Sequence, residues 1–240
     1  MVVSGGVGRM QFSATKTKDE SDAIYYRDGV KTPIAEWLMR RARQDIFGFF
    51  CQEFPANPTR TILDIGVSLV ETAESNAIER LYPYQNKLTC AGIGDGHGFQ
   101  KRYPEAKYVR IEPGRRLPFG DKQFDVAYSN AVLEHVGGEA ERAAFLAEAV
   151  RVSKAVFFAI PNHWFPVEHH TGTPLIHYLP PLFRKFLKGG KKSYWADVKN
   201  VDFLSKSSLR REFRNYTGLR MKYCGIRLGP FSSNVALVIK

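Results

Sequence analysis

The side chains best equipped for chemistry fall into two sets. The first closes short apolar runs with an acid or a glycine: Asp64 and Gly66 in Thr61-Ile-Leu-Asp-Ile-Gly66, Asp95 in Gly94-Asp-Gly96, and Glu112 after Tyr108–Ile111. A carboxylate accepts hydrogen bonds from two hydroxyls or an amino group, and a glycine lets a ligand approach the main chain. Set at successive strand ends, such residues can hold a nucleotide-like molecule at the carboxyl edge of an open parallel sheet.

The second set is imidazole. His135 follows Glu134, and His163, His169, His170 and His177 fall within fifteen residues, beside Trp164, Phe165 and Glu168. With an unperturbed pKa near 6.5, His135 or His163 can take a proton from a substrate hydroxyl. The plain alternative for His135 is a structural histidine bonding nearby backbone at a helix start. Polar rings interleaved with aromatics suit a sugar or a ring hydroxyl. Glu168, His169, His170 and His177 also offer zinc-type ligands, but adjacent histidines do not readily point at one ion, so no metal is expected.

These residues need elements to position them. Apolar residues recur every three or four positions from Ile34 to Phe50, behind Pro33 in the first turn, and predict an amphipathic helix. Strands are expected at 60–65, 87–93, 108–111, 124–129 and 155–160, with a helix over Glu139–Val152. A short helix before Pro83 can start at Ser68-x-x-Glu71 or at Asn76-x-x-Glu79, either of which reads as a capping box. Strand and helix alternate, which predicts an α/β fold with a mostly parallel sheet and helices on both faces. Runs 219–226 and 234–239 read as a closing hairpin at the sheet edge.

Residues 1–30 lack apolar periodicity and read as a flexible arm, leaving 31–240 as a single domain with a basic lid or insertion over 161–215. Gly5-Gly-Val-Gly8 is not a phosphate loop, because no strand precedes it. The absence of a long apolar run and of a secretion signal points to the cytoplasm, and three scattered cysteines suggest buried thiols rather than a disulfide framework. The net charge of +11 is uneven: residues 181–240 hold 14 Lys and Arg against three acids, while the remainder is balanced at 21 each. That basic third can meet a membrane surface, an acidic polymer or nucleic acid, or be a solvated face. Pro174–Leu187, apolar and followed by Lys188, reads as a helical lid or a bilayer-facing segment. No oligomeric state is legible.

Two blocks carry a family resemblance. Leu63-Asp-Ile-Gly66, followed downstream by Leu117-Pro-Phe-Gly-Asp-Lys-Gln-Phe-Asp-Val-Ala-Tyr-Ser-Asn-Ala-Val-Leu-Glu-His-Val136, resembles the class I S-adenosylmethionine-dependent methyltransferases of type 11, over about residues 60–162. The resemblance implies a Rossmann-like seven-stranded sheet with an antiparallel C-terminal strand, and S-adenosylmethionine as methyl donor. It places Asp64 and Gly66 at the methionine part of the donor, Asp95 on the ribose hydroxyls, Glu112 at the adenine amino group, Leu117 with Ile93 around the ring, and Ser129 on the rim where the acceptor approaches. The implied reaction is methylation, with oxygen the expected atom, of a small-molecule, sugar or lipid-linked acceptor. The family's first loop is glycine-rich, whereas Gly66 here precedes Val67-Ser68-Leu69. Either the loop takes another path, with Ser75 and Asn76 supplying polar contacts, or the chain is a non-catalytic scaffold. A nucleic-acid methyltransferase using the basic third is the remaining reading, though no base-stacking module supports it.

Overall fold

Strand β1, Ile62–Ile65, is buried along its whole length, as a short run with neighbours on both sides must be. The structure, a computed structural model, describes residues 33–72, 75–190, 192–197 and 200–240, so the expected arm at 1–30 lies outside the described residues. Around β1 run β2 (Leu88–Gly92), β3 (Lys107–Arg110), β4 (Phe124–Asn130), β5 (Ser153–Pro161), β6 (Arg220–Leu228) and β7 (Phe231–Ile239), in the spatial order 3-2-1-4-5-7-6. The first five strands pair in parallel. β7 returns antiparallel between β5 and β6. This is the expected Rossmann-like α/β sheet, with the reversed strand where the resemblance requires it.

Alternation along β1 divides the core. Leu63 and Ile65 face α4 (Glu139–Val152) and α6 (Lys206–Glu212), packing with Leu146, Leu209 and Phe213. Ile62 faces α1 (Pro33–Glu53), α2 (Ala77–Leu81) and α3 (His97–Arg102), packing with Ile46, Phe50, Ile78 and Phe99. Only the C-terminal half of the α1 stripe is buried: Ile46 and Phe50 are covered, while Ile34 and Trp37 are exposed. Neither proposed capping box forms. α2 starts after Asn76, whose side chain instead accepts from Ser68 N and donates to Ser68 O, closing the preceding loop, while Glu79 is wholly buried. The hairpin turn is also tighter than the sequence suggests, since β6 and β7 extend to Leu228 and Phe231 around Gly229-Pro230.

A third, smaller core sits over the carboxyl edge of the sheet. It joins Phe183 and Leu187 of α5 (Pro180–Leu187) to Trp195 and Val201. Arg142, buried inside α4, fastens this layer by donating to Glu212 at 3.0 Å, Asp202 at 2.9 Å and the Gly137 carbonyl at 2.7 Å. At the opposite end, Glu53 receives Arg220 at 2.6 Å and Lys240 at 2.9 Å, tying α1 to the closing hairpin. No described helix is long and apolar enough to cross a membrane.

Removing one partner of a buried ion cluster strands the others, so Arg142→Met should destabilise the protein by about 3–5 kcal/mol in urea unfolding. Burial would raise Glu53, but hydrogen bonds and charge from Lys240 and Arg220 overcome it and hold the carboxyl below its ordinary value. A depressed carboxylate stabilises the fold above its unfolded pKa of 4.5, and that contribution is lost as pH falls through the lower folded value. Glu53→Gln should therefore flatten the acid limb of a melting-temperature profile below about pH 4.5 and, because its partners are half exposed, cost only about 1 kcal/mol at neutral pH.

Candidate functional site

Parallel strands bring their carboxyl ends to one edge, which is where the acids and imidazoles gather. At the end of β1, Gly66 adopts φ +99°, and its N–H donates to Ala91 O at 2.8 Å. A Cβ there would lie 2.5 Å from Val132 Cγ2, so only glycine lets the loop after β4 close over β1. Val67 turns into the core with Cys90, Phe99 and Tyr103 rather than standing open at the edge. The loop thus follows its own path, closed by Asn76.

Asp64 is buried and hydrogen-bonds the Glu79 carboxyl, to which the Cys90 thiol also donates at 3.4 Å. Burial pushes Glu79 upward in pKa beneath the loop. Ser129 is buried too, its hydroxyl donating to Ile65 O at 2.7 Å and tying β4 to β1. Leu117 packs in the sheet core, and its N–H donates to Glu148 at 2.9 Å. Asp95 is exposed and accepts from His97 N at 3.2 Å, just before α3. Glu112 is also exposed, 3.6 Å from Arg115.

Beside the glycines that flank Asp95 stands Tyr108, which the sequence did not single out. Its hydroxyl donates to Gly94 O at 2.8 Å, and its ring lies so close to Gly96 that a Cβ there would be 2.0 Å away. The glycines of Gly92-Ile-Gly-Asp-Gly96 therefore make room for a side chain from β3.

After β4 and β5 the histidines separate into two groups. His163 stacks on Phe203 with ring centres 5.2 Å apart and meets His177 edge-on at 5.7 Å. Burial and then the charge of His177 lower its pKa, which keeps the ring neutral. Burial holds His169 down to about 4. His163 Nδ1, His169 Nε2 and His177 Nδ1 are buried with no hydrogen-bond partner among the described residues, and all three rings line one cleft with Glu134, Asn162 and Phe203.

The second group joins His135 to His170. The Nε2 atoms lie 3.2 Å apart, His135 Nδ1 meets Asn200 O at 2.6 Å, and His170 Nδ1 meets Glu168 Oε1 at 2.7 Å. Glu168 is buried, and it also accepts from the main chain of His170 and from both Thr171 N and Oγ1. Burial alone would raise its pKa, but the charge and hydrogen bonds of His170, with Thr171, hold it well below the carboxylate range. Glu168, His169, His170 and His177 thus do not converge on one point; Glu168 serves His170 alone. The pairing of His135 with His170 was not legible, because the two lie 35 positions apart with strand β5 between them.

Gly66→Ala forces both an unfavourable φ and a clash with Val132, so it should lower stability by about 1–3 kcal/mol by thermal denaturation, with Val132→Ala in the same chain restoring part of the loss.

Residues 63–156 match the model of a methyltransferase domain family, Methyltransf_11. No curated protein matches the sequence. Among solved structures, the chain is similar to magnesium protoporphyrin IX methyltransferase from Synechocystis PCC 6803 with bound SAH, at TM-score 0.58 and 11% identity, covering 92% of this chain and 94% of that one. A SAM-dependent methyltransferase from Thermotoga maritima aligns at TM-score 0.54 and 16% identity over 92% and 96%. One from Aquifex aeolicus aligns at 0.51 and 14% over 91% and 97%. At these identities the structural likeness speaks for the fold.

Proposed function

We propose that this chain, which carries a domain of the type 11 methyltransferase family over residues 63–156, transfers a methyl group from S-adenosylmethionine to the oxygen of a hydroxylated acceptor. The observation that carries the acceptor side is a small cleft beside the ends of β4 and β5, with about 20 Å³ of room for a single hydroxyl-sized group, where three buried imidazole nitrogens have no partner among the described residues. Such nitrogens suit hydroxyls that arrive with the substrate.

The residues present fit the donor. Asp95 and Glu112 stand exposed after β2 and β3, and Asn130 Oδ1, at the end of β4, is buried with no hydrogen-bond partner among the described residues. An acceptor-only carboxylate suits a ribose diol, and an unused amide oxygen suits an ammonium. In this reading Asp95 takes the ribose hydroxyls, Glu112 the adenine amino group, and Leu117 the edge of the ring. Gly66, beneath Val132, sets the turn at the end of β1 beside which the methionine part lies, while Asp64 and Ser129 hold that strand end in position through Glu79 and Ile65 O. When bound, the donor supplies a methyl already activated on a sulfonium, so alignment carries most of the catalysis and no covalent nucleophile is needed.

The proton of the acceptor hydroxyl goes to His163 Nδ1, since the lowered pKa keeps that ring a base at neutral pH. His135 keeps its Nε2 toward His170 and acts beside the acceptor rather than on its proton. Among acceptors, a lipid-linked one is favoured by the outward face of α5, where Leu179, Leu182 and Phe186 are exposed together with nearby Leu175, beside Lys185 and Lys188.

Calorimetric titration with S-adenosylmethionine tests the donor half. Asp95→Ala should weaken binding by about 1–3 kcal/mol with unchanged stability. Absence of any binding at millimolar donor would retire the enzyme and leave the fold as a scaffold.

A further inference from the structure

The contact between His135 and His170 sets a problem that the methyl transfer leaves unsolved. Asn200 O can only accept, so His135 must carry its proton on Nδ1. His170 Nδ1 likewise faces the Glu168 carboxyl at 2.7 Å, which turns its Nε2 toward His135. The two Nε2 atoms therefore face each other at 3.2 Å, a contact that one shared proton or a cation held between them satisfies.

We propose that His135 Nε2, His170 Nε2 and the Glu134 carboxylate form a site for a divalent first-row metal ion such as Zn²⁺. The three ligand atoms all lie within 4.8 Å of one another. Two nitrogens bound at about 2.0–2.1 Å with a near-tetrahedral angle stand about 3.3 Å apart, close to the separation already present. Glu134 Oε1 is 3.8 Å from His135 Nε2, within the adjustment of one carboxylate rotamer. Each imidazole is steered from behind, His170 by a buried carboxylate and His135 by a main-chain carbonyl, as metal-binding histidines are. Trp195 packs on both rings, with centres 4.7 Å and 6.1 Å away, and limits water on that side. Three protein ligands leave a coordination position, and because Glu134 and His170 line the cleft, that position can take an oxygen ligand entering there.

The site does not depend on the methyl-transfer reading, and its test does not use turnover. The full-length chain, stripped with a chelator and dialysed, is titrated with ZnCl₂ by calorimetry, and retained zinc is counted by mass spectrometry. One equivalent per chain is expected. His170→Gln and His135→Ala should each lose affinity by about 100-fold or more, and Glu168→Gln, one bond removed from the ion, by about 10–100-fold. His135 is one-third exposed, so its variant tests the site even if the buried His170 variant fails to fold. His97→Ala, which removes an exposed histidine on α3, should retain the equivalent. Equal zinc content in the wild type and both histidine variants, or none in any of them, overturns the site and leaves the two rings sharing a proton.

Discussion

A guanidinium buried within a helix must find its counter-charges, and Arg142 finds them 60 and 70 residues away, on Asp202 and Glu212. That requirement fixes more than one contact. Asp202 N donates to Glu134 O, and Asn200, two residues earlier, presents the carbonyl that orients His135. The segment after β5 is thereby laid over the end of β4 in one position. Its apolar core of Phe183, Leu187, Trp195 and Val201 adds weight, but apolar packing alone is non-directional and would not select the register in which His135 meets His170.

The sheet was legible because its strands are short apolar runs that end on acids, glycines or prolines, and because Glu139–Val152 repeats with helical spacing. What escaped were elements set by tertiary contacts. Helix α3 has six residues and little stripe of its own; it forms because Phe99 and Tyr103 pack on the sheet. Helix α6 is announced only by Ser205 and Ser208, whose reciprocal capping bonds replace the Glu or Gln that the sequence search for a capping box requires. Asn76 and Glu79 show the converse, a correct spacing overridden by a buried cluster with Asp64 and Cys90.

The site divides in the same way. Residues at strand ends, Asp64, Gly66, Asp95 and Glu112, were placed at the carboxyl edge by the strand pattern alone. Their partners were not, since Glu79, Tyr108 and Val132 approach from other elements. The histidine cluster was visible as a density of imidazoles, but its division into a stacked group around His163 and a linked pair at His135 and His170 depends on burial and on Glu168. Adjacent positions in a loop point apart, so distance along the chain misled where distance across β4 and β5 decided.

The two outer strands of the sheet, β3 and β6, each have one edge with no neighbouring strand among the described residues, a template for pairing with another chain. β3 meets this with Lys107 and Arg110, both exposed, and β6 with Arg220, Lys222 and Arg227 along its length and an irregularity between Cys224 and Arg227. Cations and a broken register on the margins discourage lateral stacking of one molecule on another. Part of the basic surplus in the last sixty residues therefore guards solubility, and the charge left for recognising a ligand is smaller than the net count suggests.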